Sequence, residues 1–144
     1  MTGSRISLAT VLVPVDFDDA SHRALRFAAS IARQIGASLI LLQAIHLNIV
    51  GEEQGVPRTK FVDELRSDAE RDLRQLVQTL GIASARVLVR AGDPVATVIV
   101  VAKETSAGIV VLGGPQRRGL SRWLRSSLER KLFHNRVKHL MVPG

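Results

Sequence analysis

The 144-residue chain reads as a single α/β domain over residues 1–144. The expected architecture is one open, parallel, five-stranded sheet of order 3-2-1-4-5, with helices on both faces. Three observations predict it. Short apolar, β-branched runs bounded by turn residues recur along the chain, as strands buried on both faces do. Between them lie stretches whose apolar residues follow the helical period. The two kinds alternate as β-α-β-α-β-α-β-α-β, and right-handed crossovers then leave few topologies.

Thr10 to Val15 is near-continuously apolar and reads as the first buried strand. Asp16-Phe17-Asp18-Asp19 follows, and Asp18 or Asp19 can cap a helix that runs to about Ile35. Ala24, Ala28, Ile31, Ala32 and Ile35 line one side of that helix. Gly36 stands where a glycine closes a helix. Ser38 to Ile45 is the second buried strand, and His46 to Pro57, polar and holding Gly51 and Gly55, is a loop. Lys60 to Leu80 is the longest helix, with Phe61, Leu65, Ala69, Leu73, Leu76 and Leu80 as its apolar stripe and Gly81 at its end.

Ala85 to Ala91 alternates apolar and basic residues, the mark of an edge strand with a half-exposed face. Gly92-Asp93-Pro94 starts the next helix, with Asp93 as N-cap and Pro94 at the first helical position. Val95, Val98, Ile99 and Ala102 are its buried side, and it stops near Gly108. Ile109 to Leu112 is the fourth strand. A glycine-bearing loop from Gly113 to Ser127 leads to a short helix, Leu128 to His134, and Val137 to Val142 is the last strand.

The composition narrows the function. The chain is 46% hydrophobic, enough for a real core. It has no cysteine, which excludes disulfides, thiol catalysis and cysteine metal sites. His22, His46, His134 and His139 lack ligand spacing, so no metal site is expected. No stretch approaches the ~20 apolar residues of a membrane span. Met1 to Arg5 leads into a strand without a secretory segment, so a cytoplasmic protein with no membrane partner is expected. The net charge of +7 points to an anionic partner or to a solvated basic surface. Aromatics are only 3%, so nucleic acid is not an expected partner.

Ligands of such sheets sit at the carboxyl ends of the strands, where strand order reverses. Asp16 ends the first strand and Gly113 the fourth, so the two meet at that crevice. Asp16 can accept from an adenine amino group or a ribose hydroxyl, or it can bond the following helix. Gly113 allows close backbone approach or positive φ. Ser126 and Ser127 stand at the expected helix start, where they can cap it or hold phosphate. Arg117, Arg118, Arg122 and Arg125 can clamp phosphates or stay solvated. Trp123 can anchor the loop to the core or touch a second copy. No Ser/His/Asp arrangement and no Walker lysine is present. Asp16, Asp18 and Asp19 are explained by helix capping and dipole complementarity better than by Mg²⁺. An enzyme is therefore not expected.

Val11-Leu12-Val13-Pro14-Val15-Asp16 with Asp19-Ala20-Ser21 and Ala24-Leu25, then Ala37 to Leu42, Gly92-Asp93-Pro94 and Val110 to Gly113 together resemble a universal stress protein domain of the UspA type. The resemblance covers essentially the whole chain. It implies a Rossmann-like fold of the adenine nucleotide α-hydrolase-like kind and a role in stress response. It also implies a homodimer through the last strand, for which Val137, Leu140 and Val142 are suitably apolar. The alternative is an edge guarded within the monomer by Lys138 and His139.

Nucleotide-binding members of that family carry a G-x2-G-x9-G-[S/T] loop. On this chain Gly113 supplies the first glycine, Gln116 stands at the second, Ser126 at the third, and Ser127 supplies the hydroxyl. Asp16 matches the position that contacts adenine, Val15 its neighbour, and Ala44 a position that packs near the base. Gln116 puts a side chain where the backbone would approach the ligand, while Ser126 still offers a backbone N–H. Gly108 replaces an acidic residue common before the fourth strand, which affects the turn. The resemblance thus implies a dimeric, non-enzymatic regulatory module with weak or no binding of ATP or another adenine nucleotide. The alternative is a true ATP/AMP sensor using Asp16, Gly113 and Ser127.

Overall fold

The computed structural model describes residues 10–15, 19–45, 58–82, 85–113 and 119–142. Nine elements follow one another: β1 (Thr10–Pro14), α1 (Asp19–Ile35), β2 (Ser38–Ile45), α2 (Arg58–Thr79), β3 (Arg86–Ala91), α3 (Pro94–Glu104), β4 (Ile109–Gly113), α4 (Gly119–His134) and β5 (His139–Val142). The strands form one sheet, β3-β2-β1-β4-β5, with every pair parallel. Fold class and strand order are those expected from the sequence.

The continuous apolar runs have a direct cause. Alternate residues of a strand point to opposite faces, and here both faces are covered. Val11, Val13, Leu39, Leu41 and Val111 belong to one core with Ala24, Leu25 and Ala28 of α1 and Ala69 and Leu73 of α2. Leu12, Ile40, Leu42, Val110 and Leu112 belong to a second core with Val98 and Val101 of α3 and Leu128 and Leu132 of α4. Each fully buried leucine or valine here contributes roughly 1.5–3 kcal/mol relative to an exposed one. The sheet is therefore the shared wall of two cores.

Helix boundaries are set by local chemistry. Asp93 is the N-cap of α3, its Oδ2 accepting from the Ala96 N–H at 2.8 Å, and Pro94 follows in the first turn. All four helices end alike, with a backbone bond that closes six residues. Ala37 N–H donates to Ala32 O, Ile82 N–H to Val77 O, Ala107 N–H to Ala102 O and Val137 N–H to Leu132 O, at 2.8–3.0 Å. This closure needs a left-handed residue just before the donor. Gly36 and Gly81 supply it in α1 and α2, with φ of 71° and 66°. In α3 and α4 the residues are Ser106 and Arg136, with φ of 51° and 57°.

Several boundaries differ from the sequence reading. β1 stops at Pro14, and β5 begins at His139 rather than Val137. α1 already includes Asp19 as a helical residue, so Asp19 is not its cap. Ile35 and Phe61 lie off the buried stripes, 46% and 39% exposed. The largest correction is α4, which begins at Gly119 and not at Leu128. Leu120, Leu124, Leu128 and Leu132 recur at helical spacing with no breaker after Gly119, and that periodicity prevails over the loop template. The expected loop at 46–57 lies outside the described residues.

Candidate functional site

The carboxyl-terminal edge of the sheet is built by three adjacent strands. Val15 is buried, and its N–H donates to Leu42 O at 2.8 Å, extending the β1–β2 ladder past Pro14. β1 pairs with β4 as Val11↔Ile109 and Leu12↔Val110, and carrying that register forward sets Val15 level with Gly113. Gly113 is buried, closes β4 and pairs with Val142. Ala44 is half-buried near the end of β2 and pairs with Arg90 of β3. Val15, Ala44 and Gly113 therefore share one edge, where the chain order turns from β1 outward in both directions. That is the reversal at which sheets of this class leave a crevice.

Asp16 and Gln116 lie outside the described residues, as do Arg117 and Arg118. Arg122, Trp123 and Arg125 fall within α4 and not in a loop. Ser126 and Ser127 need correction on the same ground. They sit in the body of α4, Ser126 exposed and Ser127 half-buried. Eight residues of helix carry Ser127 about 12 Å along the axis from Gly119. Neither serine can cap this helix, whose interior amides are engaged with carbonyls one turn back.

Sequence reasoning passed over two residues near this edge. Gln43 is the one polar side chain inside the otherwise apolar run of β2 after Ser38, which was a readable signal. Its Oε1 is buried and has no hydrogen-bond partner among the described residues, and the same holds for His22 Nε2 in the first turns of α1. A buried polar atom without a partner costs about 1–3 kcal/mol. Strand alternation puts Gln43 on the same face as Val15 and Leu41. Gln43 is thus a polar group set beside Ala44 and level with Val15 at the end of the sheet.

Among the described residues no group of three histidines or carboxylates could hold a metal ion. No described helix is long and apolar enough to cross a membrane.

Comparison with known proteins agrees with this geometry. A universal stress protein of Burkholderia pseudomallei superposes with a TM-score of 0.68 at 25% identity, over 99% of this chain and all of the other. UspA of Lactobacillus plantarum gives 0.70 at 20% identity, over 94% and 97% of the two chains. A universal stress protein solved in complex with cAMP gives 0.61 at 22% identity, over 92% and 94%. No individual curated protein matches the chain significantly. The model of the universal stress protein family matches residues 8–142. With the parallel 3-2-1-4-5 sheet, that match settles the assignment: the chain belongs to the universal stress protein family.

Proposed function

We propose that the protein is a dimeric, non-enzymatic regulatory module of the stress response whose nucleotide crevice binds ATP weakly or not at all. The observation that carries this reading is the course of α4. The helix runs through Ser126 and Ser127, the positions that would complete the phosphate loop. Their amides are committed to the helix, and a phosphate loses its cradle there. Gln116 in place of a glycine adds to the same effect.

The second reading is an adenine-nucleotide sensor using Asp16, Gly113 and Ser127. It is favoured by a relative of the same fold solved in complex with cAMP, and by Gln43, whose unpartnered oxygen could accept from an exocyclic amine. The dimer is assigned to β5, an edge strand on which Leu140 is 37% exposed, with Val137 and Val142 beside it. Action in the cytoplasm belongs to the same proposal.

One experiment separates the readings. The purified protein is denatured and the supernatant is analysed for nucleotide by absorbance and mass. ATP and cAMP are then added to fresh protein and thermal unfolding is followed. A ligand at ~100 times its Kd stabilises by roughly 2.7 kcal/mol. No released nucleotide and no shift at millimolar ligand is the expected result. A shift of several degrees that Asp16→Ala abolishes would replace the first reading by the second.

A further inference from the structure

The opposite, amino-terminal edge of the sheet carries a second feature, unrelated to the nucleotide crevice. A shallow depression of about 790 Å³ lies at the β4–β5 corner, between Ile109, Phe133, Arg136, Lys138 and His139. Four residues of β4 separate it from Gly113, about 13 Å along the strand. Phe133 is 76% exposed, the most exposed large apolar side chain among the described residues. The His134 ring meets it edge to face, 6.2 Å between centroids at 75°.

The charge around it has one sign. From Leu128 to Val142 there is one carboxylate, Glu129, against Arg130, Lys131, Arg136 and Lys138. All four cations are exposed, and none has a carboxylate partner among the described residues. The arginines of α2 differ: Arg66, Arg71 and Arg74 each meet an acid three or four residues away.

Arg136 occupies the left-handed closing position of α4, where α1 and α2 use glycine. An L-residue is disfavoured in that conformation. Here Arg136 lines the depression. Two copies of this corner set face to face would bring like charges together. A bilayer surface is flat and does not follow a concavity, and a duplex hides its base faces. An unstacked strand offers both a base face for the ring and phosphates for the cations.

We propose that this depression binds single-stranded nucleic acid, with one base lying on Phe133 and adjacent phosphates held by Arg136 and Lys138. The composition had argued against this partner because aromatics are few. What matters at a stacking site is where an aromatic is exposed, and this one stands among unpaired cations.

The test is fluorescence anisotropy with a labelled oligouridylate of ~12 nucleotides. A duplex of equal length and phosphatidylserine-containing vesicles run in parallel. The single strand is expected to bind, with the logarithm of affinity falling by about 0.7 per neutralised phosphate for each decade of salt. Phe133→Ala is expected to weaken binding roughly 5- to 100-fold, and Phe133→Trp to retain it. Arg136→Gly and Lys138→Gln each reduce the salt slope by about 0.7. Excess ATP leaves binding unchanged, because the crevice lies at the other edge. Failure of the strand to bind at low salt, equal binding of the duplex, binding of vesicles alone, indifference to Phe133→Ala, or displacement by ATP would each overturn the proposal.

Discussion

Replacing Ser106 by glycine should stabilise this protein. Ser106 closes α3 with φ of 51°, exposed, and its hydroxyl has no hydrogen bond among the described residues. The closure itself is made by the backbone, Ala107 N–H to Ala102 O at 2.9 Å, and survives the substitution. A left-handed L-residue costs about 1–2 kcal/mol. Glycine gives back roughly 0.4–1 kcal/mol of that through the greater freedom of the unfolded chain. The net gain is about 0.5–1 kcal/mol, or a few degrees in Tm for a chain of this size. Gly36→Ala at the equivalent end of α1 should lose about the same amount. At Arg136 the backbone gain is opposed by loss of a cation from the carboxyl end of α4, worth about 0.3–1 kcal/mol, so Arg136→Gly should be close to neutral. Urea titration of the three variants with a common slope measures this directly. A Ser106→Gly protein that is unchanged or less stable would refute the reasoning, as would a stabilised Gly36→Ala. A neutral Arg136→Gly also means that any ligand it loses is lost for want of charge and not of fold.

Asp93→Ala removes the acceptor for Ala96 N–H and should lower stability by about 1 kcal/mol in the same titration, with Asp93→Ser recovering most of it. Gln43→Leu removes a buried oxygen that lacks a partner among the described residues, and thermal unfolding should show a gain of roughly 1 kcal/mol; loss of stability instead would mean that Gln43 is satisfied in solution. Leu140→Lys charges the exposed edge of β5 and should convert a dimer to a monomer in light scattering, while a persistent dimer would move the interface elsewhere. Arg90→Gln breaks an ion pair of 3.0 Å with Glu104 whose partners are 43% and 48% exposed, so the change should stay under about 1 kcal/mol and shrink in salt.

The parts of the fold that were legible are those in which one local signal dominates. β2 was read to the residue because a strand buried on both faces is near-continuously apolar and this one follows closely on Gly36. The start of α3 was legible because Asp93 and Pro94 act within one turn. The end of α3 was not, since the usual signal is glycine and here Ser106 holds the left-handed position; the end of α4 at His134 was legible although Arg136 takes the same role. The start of α4 differs for another reason. A family loop was laid over residues whose leucine spacing is helical, and the spacing decides the backbone. The point where the sheet reverses was legible, because it follows from the strand order alone. The polar group near that point was not, because Gln43 looks like an interruption in a strand until the burial of its oxygen is known.

The two outer strands are not equivalent. β3 carries Arg86 and Arg90, the latter tied to Glu104, along one border of the sheet. β5 is four residues long and presents Leu140 on the other. A ribbon with one guarded and one open side has a single place to add a strand. Two copies joined there face outward only with their guarded sides. In the dimer proposed at β5, growth would then stop at a pair and a filament would be disfavoured.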